Sequence, residues 1–322
     1  FSSDLLLVKP RPEPVLKLLL GLKPAVRHQR AEWLALSGVS VGALSHEQLL
    51  DWEHNGFLVL KSFADATTCS EMLNTAVVIS RSSANDEPIG DTEVVLETVP
   101  SPTAKQPEDY VAKITRIHHE DGIFSEFIHR PEVSDLLGHV LGDDVDCFSS
   151  SFIFKSPGVL GQPWHQDAWY HRMDPSNQVS AWLAVTEVTI DNGALWVLPG
   201  SHHEPVHAVE PDPRPGARPG YVGITDHDME AGIPLLLEPG DLVLFSFNMM
   251  HRSTDNLADT PRAAMLYHFG NPGTHDPTLD PDPGVFATYL SDIKAEAPLA
   301  AGATKDRVRN LWIPIRRAAQ PI

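Results

Sequence analysis

Cysteine is scarce: the 322 residues hold two, Cys69 and Cys147. A disulfide framework and a tetrahedral thiolate zinc site are both excluded, and a reducing, cytoplasmic setting is the simplest reading. Positive charge is also in short supply. Lys and Arg total 24 against 43 Asp and Glu, a net charge of −19. A nucleic-acid partner is therefore not expected, because phosphate contacts need a basic surface. A local basic pocket for a small anion remains compatible with that balance. Long apolar runs are missing too. No stretch approaches the roughly 20 residues that span a bilayer. The Leu-rich segment Leu5–Leu22 is broken by Lys9, Pro10, Arg11, Pro12, Glu13, Pro14 and Lys17, so neither a membrane span nor a signal peptide is expected there.

What the chain does have is a 42% hydrophobic complement, sufficient for a core, and 16 histidines. Its first part reads as helical. Ala25–Leu36 is one expected helix. Ser45 with Gln48 forms a capping-box pattern for a second, which runs to about His54 and stops before Gly56. Phe57–Leu60 reads as a short buried strand, and Asp65 as the cap of the helix that follows. Residues 81–110 read as a polar, mobile loop. Val133–Leu141 is an expected helix ended by Gly142. The pattern then turns to strands at Cys147–Lys155, Val179–Val188, Leu195–Leu198, Pro234–Leu237, Leu242–Phe247 and Arg262–Phe269. Pro/Gly-rich loops are expected at 204–233 and 270–284. Many short strands between regular turns point to a barrel or jelly roll. The basic residues of the tail, Lys305, Arg307, Arg309, Arg316 and Arg317, read as a solvated face.

A metal site is the first question for a histidine-rich chain. His165-Gln166-Asp167 places two ligand types at i and i+2, on one side of an extended segment. The pattern alone is weak, since His118-His119-Glu120, His119-Glu120-Asp121 and His202-His203-Glu204 share its form. Context favours His165, which follows one strand and precedes several others, whereas His119 and His202 read as surface residues. His251, at the end of an apolar run, is the best third ligand, although a buried structural histidine is the competing reading. Two histidines and a carboxylate on one face of a metal leave three octahedral positions open, the ligand set of non-haem Fe(II) oxygenases. Arg262 begins the strand whose inward face carries Ala264, Leu266 and His268. A buried guanidinium there calls for an anion, with Ser253 as a second donor, or else for a protein carboxylate such as Asp255.

These residues together resemble the phytanoyl-CoA dioxygenase family of Fe(II)/2-oxoglutarate oxygenases. The resemblance runs from about residue 44 to 272. It is carried by Gly56-Phe57-Leu58-Val59-Leu60, Phe152-Ile153-Phe154-Lys155, PWHQDAWY at 163–170, Ala181-Trp182-Leu183-Ala184, Asp191-Asn192-Gly193, Pro199-Gly200-Ser201-His202 and His251-Arg252-Ser253 with Arg262. It implies a mainly β fold with flanking α-helices around a double-stranded β-helix core, cupin-like, at about 145–270. It implies one catalytic domain over 44–322 behind an N-terminal helical extension at 1–43. It implies His165, Asp167 and His251 as iron ligands, and 2-oxoglutarate anchored by Arg262 and Ser253 with Trp182 and Arg116 nearby. O2 would be consumed, with release of succinate and CO2. Gln166, Trp169, Tyr170 and His171, next to the metal motif, are the expected substrate contacts. Related halogenases have a small residue where Asp167 stands, so oxidation of a small organic molecule is expected rather than halogenation. An acyl-CoA hydroxylase and a cupin-like metal-dependent isomerase are the alternatives, and the second has no need of an Arg262–Ser253 anion anchor.

Overall fold

The computed structural model describes residues 44–171, 177–272 and 312–316. The expected helix at Ala25–Leu36, most of the basic tail and most of the 270–284 loop lie outside them. The chain opens with α1 (His46–Asn55). Ser45 and Gln48 cap it reciprocally, and it ends on Gly56 at φ 74°, the left-handed turn expected of a helix C-terminus. β1 (Phe57–Leu60) follows, then α2 (Ala66–Ala84), whose first turn is capped by the Asp65 carboxylate on the Thr68 amide.

The segment expected to be a loop at 81–110 is more ordered than its composition suggests. α2 extends into it, β2 (Glu93–Leu96) lies within it, and a 3-10 turn at Pro107–Tyr110 leads into β3 (Val111–Thr115). β2 pairs with β3 along its backbone and packs Val94 against the core, but a four-residue run between polar flanks is too short to stand out in the sequence. Two helices come next, α3 (Ile123–Ile128) and α4 (Pro131–Leu141), then the long strand β4 (Val145–Lys155) and a single helical turn α5 (Asp167–Tyr170). The remaining strands are β5 (Val179–Ala184), β6 (Leu195–Val197), β7 (Val209–Pro211), β8 (Val222–Ile224), β9 (Ile233–Leu235), β10 (Leu242–Ser246), β11 (His251–Ser253), β12 (Arg262–Gly270) and β13 (Ile313–Arg316). β7 and β8 pair as a hairpin inside the region expected to be a loop at 204–233.

The strands form a major antiparallel sheet in the order β1-β10-β5-β12-β4-β3-β2, with β13 also on β4, and a smaller sheet β11-β6-β9. The result is the two-sheet jelly roll expected from the strand pattern, with helices on its flank. Alternation along each strand assigns the faces. From β12, Ala263, Met265, Tyr267 and Phe269 join Phe152 and Phe154 of β4, Leu242 and Leu244 of β10, and the apolar residues of α2, α3 and α4 in one continuous core. The other face of β12 carries Arg262, Ala264, Leu266 and His268, and it is this face that bears the polar groups of the site.

Candidate active site

The backbone brings the metal motif together. His165 and His251 form a reciprocal bridge, each amide donating to the other's carbonyl at 2.9 Å, so two residues far apart in sequence become cross-strand neighbours. Asp167 follows two residues later, at the start of α5. The ligand atoms of His165, Asp167 and His251 lie within 4.8 Å of one another, and they are the one group of three metal-ligating side chains so arranged among the described residues. The competing His118–Glu120 and His202–Glu204 patterns do not converge. The buried His118 ring bonds the Ser150 hydroxyl, and Glu120 accepts from the Asp91 amide. His202 lies against the carbonyl of Glu53.

The tautomers fit a metal. His165 Nδ1 lies 2.7 Å from the Pro163 carbonyl and His251 Nδ1 lies 2.9 Å from the Met249 carbonyl. A carbonyl only accepts, so both Nδ1 atoms carry hydrogen and both Nε2 lone pairs are free. Those Nε2 atoms face Asp167 Oδ1 at 3.8 and 3.6 Å. Burial drives the His165 pKa down to about 3, reinforced by His251 and opposed by Asp167. Burial works against the Asp167 charge, but the surrounding histidines and the Ser180 hydroxyl outweigh it and hold the pKa at about 2. At neutral pH the site thus offers a carboxylate beside a neutral His165 imidazole, the state a divalent cation requires.

A further layer was not assigned from sequence. Ser180 Oγ donates to Asp167 Oδ2 at 2.6 Å, and it lies 3.0 Å from His268 Nδ1. Ser180 spends its proton on Asp167, so His268 Nδ1 donates to Ser180. His268 also stacks on Phe148 and meets Phe247 edge-on. The Arg262 face made His268 visible in the sequence, but its link to Asp167 depends on the register between β12 and β5.

Arg262 is 2% exposed. One of its guanidinium nitrogens donates to the Gly193 carbonyl at 3.0 Å, while Nε and Nη1 have no partner. It stands over the Trp182 ring at 5.3 Å from the centroid. Burial lowers its pKa to about 10, with only Tyr221 opposing. The alternative partner, Asp255, is engaged elsewhere: it accepts from the Gly161 amide and from Arg214 at 2.9 Å. Ser253 Oγ accepts from Lys155 Nζ at 2.8 Å and from the Gln162 amide at 3.1 Å, which leaves its own proton to donate. Lys155, paired with Arg262 across β4 and β12, is a second buried cation at this end. Burial and then Arg262 push its pKa well below the ordinary value. Lysine at the end of a strand gives no sequence signal of its own. Here the pairing with Arg262 is what brings it inward.

The other expected site residues fall in different places. Arg116 is exposed, in a left-handed conformation just past β3, and its amide bonds the Ser150 carbonyl. Gln166 is buried and structural: its amide nitrogen donates to the carbonyls of Pro205 and Asn248, and its oxygen accepts from the His207 amide. Tyr170 packs its ring edge against His165. Its hydroxyl accepts from Gln162 and donates to the Gly220 carbonyl, tying the β7–β8 hairpin to the site. Trp169 meets Tyr170 edge-on, and His171 lies among Phe148, Phe247 and His268.

Comparison with known proteins agrees with the geometry. The model of the phytanoyl-CoA dioxygenase family matches residues 52–264. Peroxisomal phytanoyl-CoA dioxygenase of Bos taurus is 29% identical over 239 residues, covering 72% of this chain and 70% of that protein. Among solved structures, the carbocyclase SnoK of nogalamycin biosynthesis, described as non-haem and α-ketoglutarate dependent, superposes with TM-score 0.57 at 17% identity. It covers 86% of this chain and 100% of SnoK. EctD from S. alaskensis, solved with 2-oxoglutarate and 5-hydroxyectoine, gives TM-score 0.55 at 21% identity over 73% of this chain and 79% of EctD. The two structural likenesses speak for the fold, while the family match over most of the described sheet speaks for the chemistry. This chain belongs to the phytanoyl-CoA dioxygenase family, and is an Fe(II)- and 2-oxoglutarate-dependent oxygenase.

Proposed function

We propose that the protein hydroxylates an unactivated C–H bond of a small organic molecule of the secondary-metabolite type. Residues 44–322 would serve as one catalytic domain in the cytoplasm, a setting that two free, buried cysteines fit. The observation that carries the reading is a buried guanidinium with unpartnered nitrogens on the same face as a converged His–Asp–His set. A cupin-like isomerase would leave that guanidinium without a purpose.

His165 Nε2, Asp167 Oδ1 and His251 Nε2 hold the iron. Arg262 and the Ser253 hydroxyl receive the distal carboxylate of 2-oxoglutarate as a charge-assisted pair, with Trp182 beneath the guanidinium. When bound, iron and 2-oxoglutarate supply the oxidising chemistry that turns O2 into oxidised product, succinate and CO2. The chain's own part is positional. Ser180 and His268 fix the Asp167 carboxylate, Gln166 and Tyr170 pin the hairpin over the site, and Phe148 and Phe247 keep the wall apolar. The −19 charge works against a polyanionic carrier such as CoA by long-range repulsion, which favours the small-molecule reading over an acyl-CoA hydroxylase.

The test is anaerobic addition of Fe(II) and then 2-oxoglutarate to the folded protein. A visible metal-to-ligand charge-transfer band is expected, and its absence would sink the reading. Succinate release across a metabolite panel then identifies the substrate.

A further inference from the structure

Trp312 stands far from the metal motif in sequence and close to it in space. β13 begins at the next residue, and Ile313 pairs with Cys147 of β4. Antiparallel pairing then sets Trp312 opposite Phe148. The two rings stack, with centroids 5.0 Å apart and planes 26° apart. Ile313 and Ile315 face the other way and pack on the helix-covered core. Arg316 ties the far end of the strand to the Ser134 carbonyl of α4. β13 therefore holds Trp312 on the site side of the major sheet.

Phe148 needs such a support. The ladder between β4 and β12 slips at this point: His268 pairs with Ser149 and Phe269 with Cys147, which leaves Phe148 as the extra residue of a bulge. It has no partner residue on β12, and its ring turns to the site face. There it stacks on His268, with centroids 6.0 Å apart and planes 22° apart. His171 and Phe247 meet it edge-on. His268 in turn makes one hydrogen bond among the described residues, from Nδ1 to Ser180 Oγ at 3.0 Å. A single hydrogen bond fixes one point of an imidazole and leaves its plane open, because the ring torsion is soft. Stacking supplies the plane. Ser180 then passes the constraint to Asp167 Oδ2 at 2.6 Å. The contacts run from Trp312 through Phe148, His268 and Ser180 to Asp167 without a gap.

We infer that Trp312 is a positioning residue of the iron site. Its indole clamps Phe148, which sets the plane of His268 and, through Ser180, the direction of the Asp167 carboxylate. The competing reading is that Trp312 only covers the small apolar cluster of Phe148, Ala168 and Phe247. The two differ in what they ask of the side chain. A cover needs apolar bulk, whereas a clamp needs a flat face. Partners that orient a metal ligand from outside are worth about ten- to a hundredfold in metal affinity or activity. Arg262 lies at the opposite end of β12 from His268, so the co-substrate anchor stands outside this relay. The inference rests on the oxygenase reading above.

The experiment titrates Fe(II) anaerobically into the full chain at saturating 2-oxoglutarate and follows the charge-transfer band. The melting temperature of each metal-free variant separates folding from iron binding. Trp312→Leu keeps apolar bulk and loses the ring. It is expected to weaken Fe(II) binding about fivefold to tenfold and to shift the band, while Trp312→Phe stays within about twofold of wild type. His268→Ala should weaken Fe(II) by about tenfold or more. Adding Trp312→Leu to it should cost less than about a further twofold, because the relay is already cut. Ile313→Ala, on the other face of the same strand, should lower the melting temperature and leave iron affinity within about twofold. In every variant the affinity for 2-oxoglutarate, read at saturating Fe(II), should stay within about twofold. Unchanged iron affinity in Trp312→Leu overturns the inference. So do equal losses in Trp312→Leu and Trp312→Phe, additive losses in the double variant, and a loss in Ile313→Ala as large as that in Trp312→Leu. Failure of the oxygenase reading looks different: the wild type then gives no band, and the inference falls with it.

Discussion

The two faces of β12 are made from alternate residues of one short segment, yet they obey opposite rules. Toward the helices stand Ala263, Met265, Tyr267 and Phe269, packed into the apolar core. The one hydroxyl among these four side chains, that of Tyr267, is satisfied by the Phe124 carbonyl at 3.0 Å. Toward the small sheet stand Arg262 and His268, buried as deeply but with charge or lone pairs left open. The helix side is arranged to be complete without a ligand. The site side is complete only with one. Stability and function are thereby separated across the thickness of a single sheet.

The separation can be attacked from either side. Asp167→Ala should have the largest effect, a loss of turnover of at least about a thousandfold, because the carboxylate of the proposed iron site goes. If the variant unfolded at the wild-type temperature its defect would be confined to the site. Phe152→Ala, on the other face, should do the reverse. It should lower stability by about 3–5 kcal/mol in denaturant titration while leaving turnover per folded molecule nearly unchanged in the cold. A large catalytic defect with little loss of stability would break the comparison. Arg262→Met divides the two roles within one residue. The apparent KM for 2-oxoglutarate should rise by about thirtyfold or more, the value of a charge-assisted pair at about 2 kcal/mol. The ligand-free protein should become as stable as wild type or more so, by about 1–3 kcal/mol, because an unpaired buried charge is removed. The smallest effect is a pH dependence. His165 and His268 have folded pKa values pushed down to about 3, chiefly by burial. The unfolded chain therefore binds more protons between about pH 6.5 and 3. Stability of the metal-free protein should be fully present above about pH 6.5 and fall as pH drops through that window. His268→Gln should flatten the melting temperature against pH without abolishing the slope.

Much of this was legible in the residues, for reasons that differ by position. His165, Asp167 and His251 could be read because a ligand set has a recognisable spacing and sits at strand ends. Ser45, Gly56 and Asp65 could be read because capping is local chemistry. Lys155 could not, since a lysine in a strand ordinarily faces solvent, and only the register of β4 against β12 turns it inward. Arg116 illustrates the converse. Its position looked suited to the co-substrate, but the left-handed turn after β3 carries it to the surface. Gln166 lies between His165 and Asp167 and still serves the scaffold, because its neighbours offer three backbone groups that fit its amide.

The placement of β13 has a bearing on how the molecule is made. Along one edge β4 is shared: Ser151–Ile153 pair with β3, and Val145–Cys147 pair with β13, next to which Trp312 stacks on Phe148. A strand made early therefore waits for a partner that follows it much later in the chain. Until it arrives, part of the wall behind the site has an open edge able to recruit another chain. Pairings this distant in sequence also fold slowly. Truncation a few residues before Trp312 would thus spare His165, Asp167, His251 and Arg262 and still yield an aggregation-prone product.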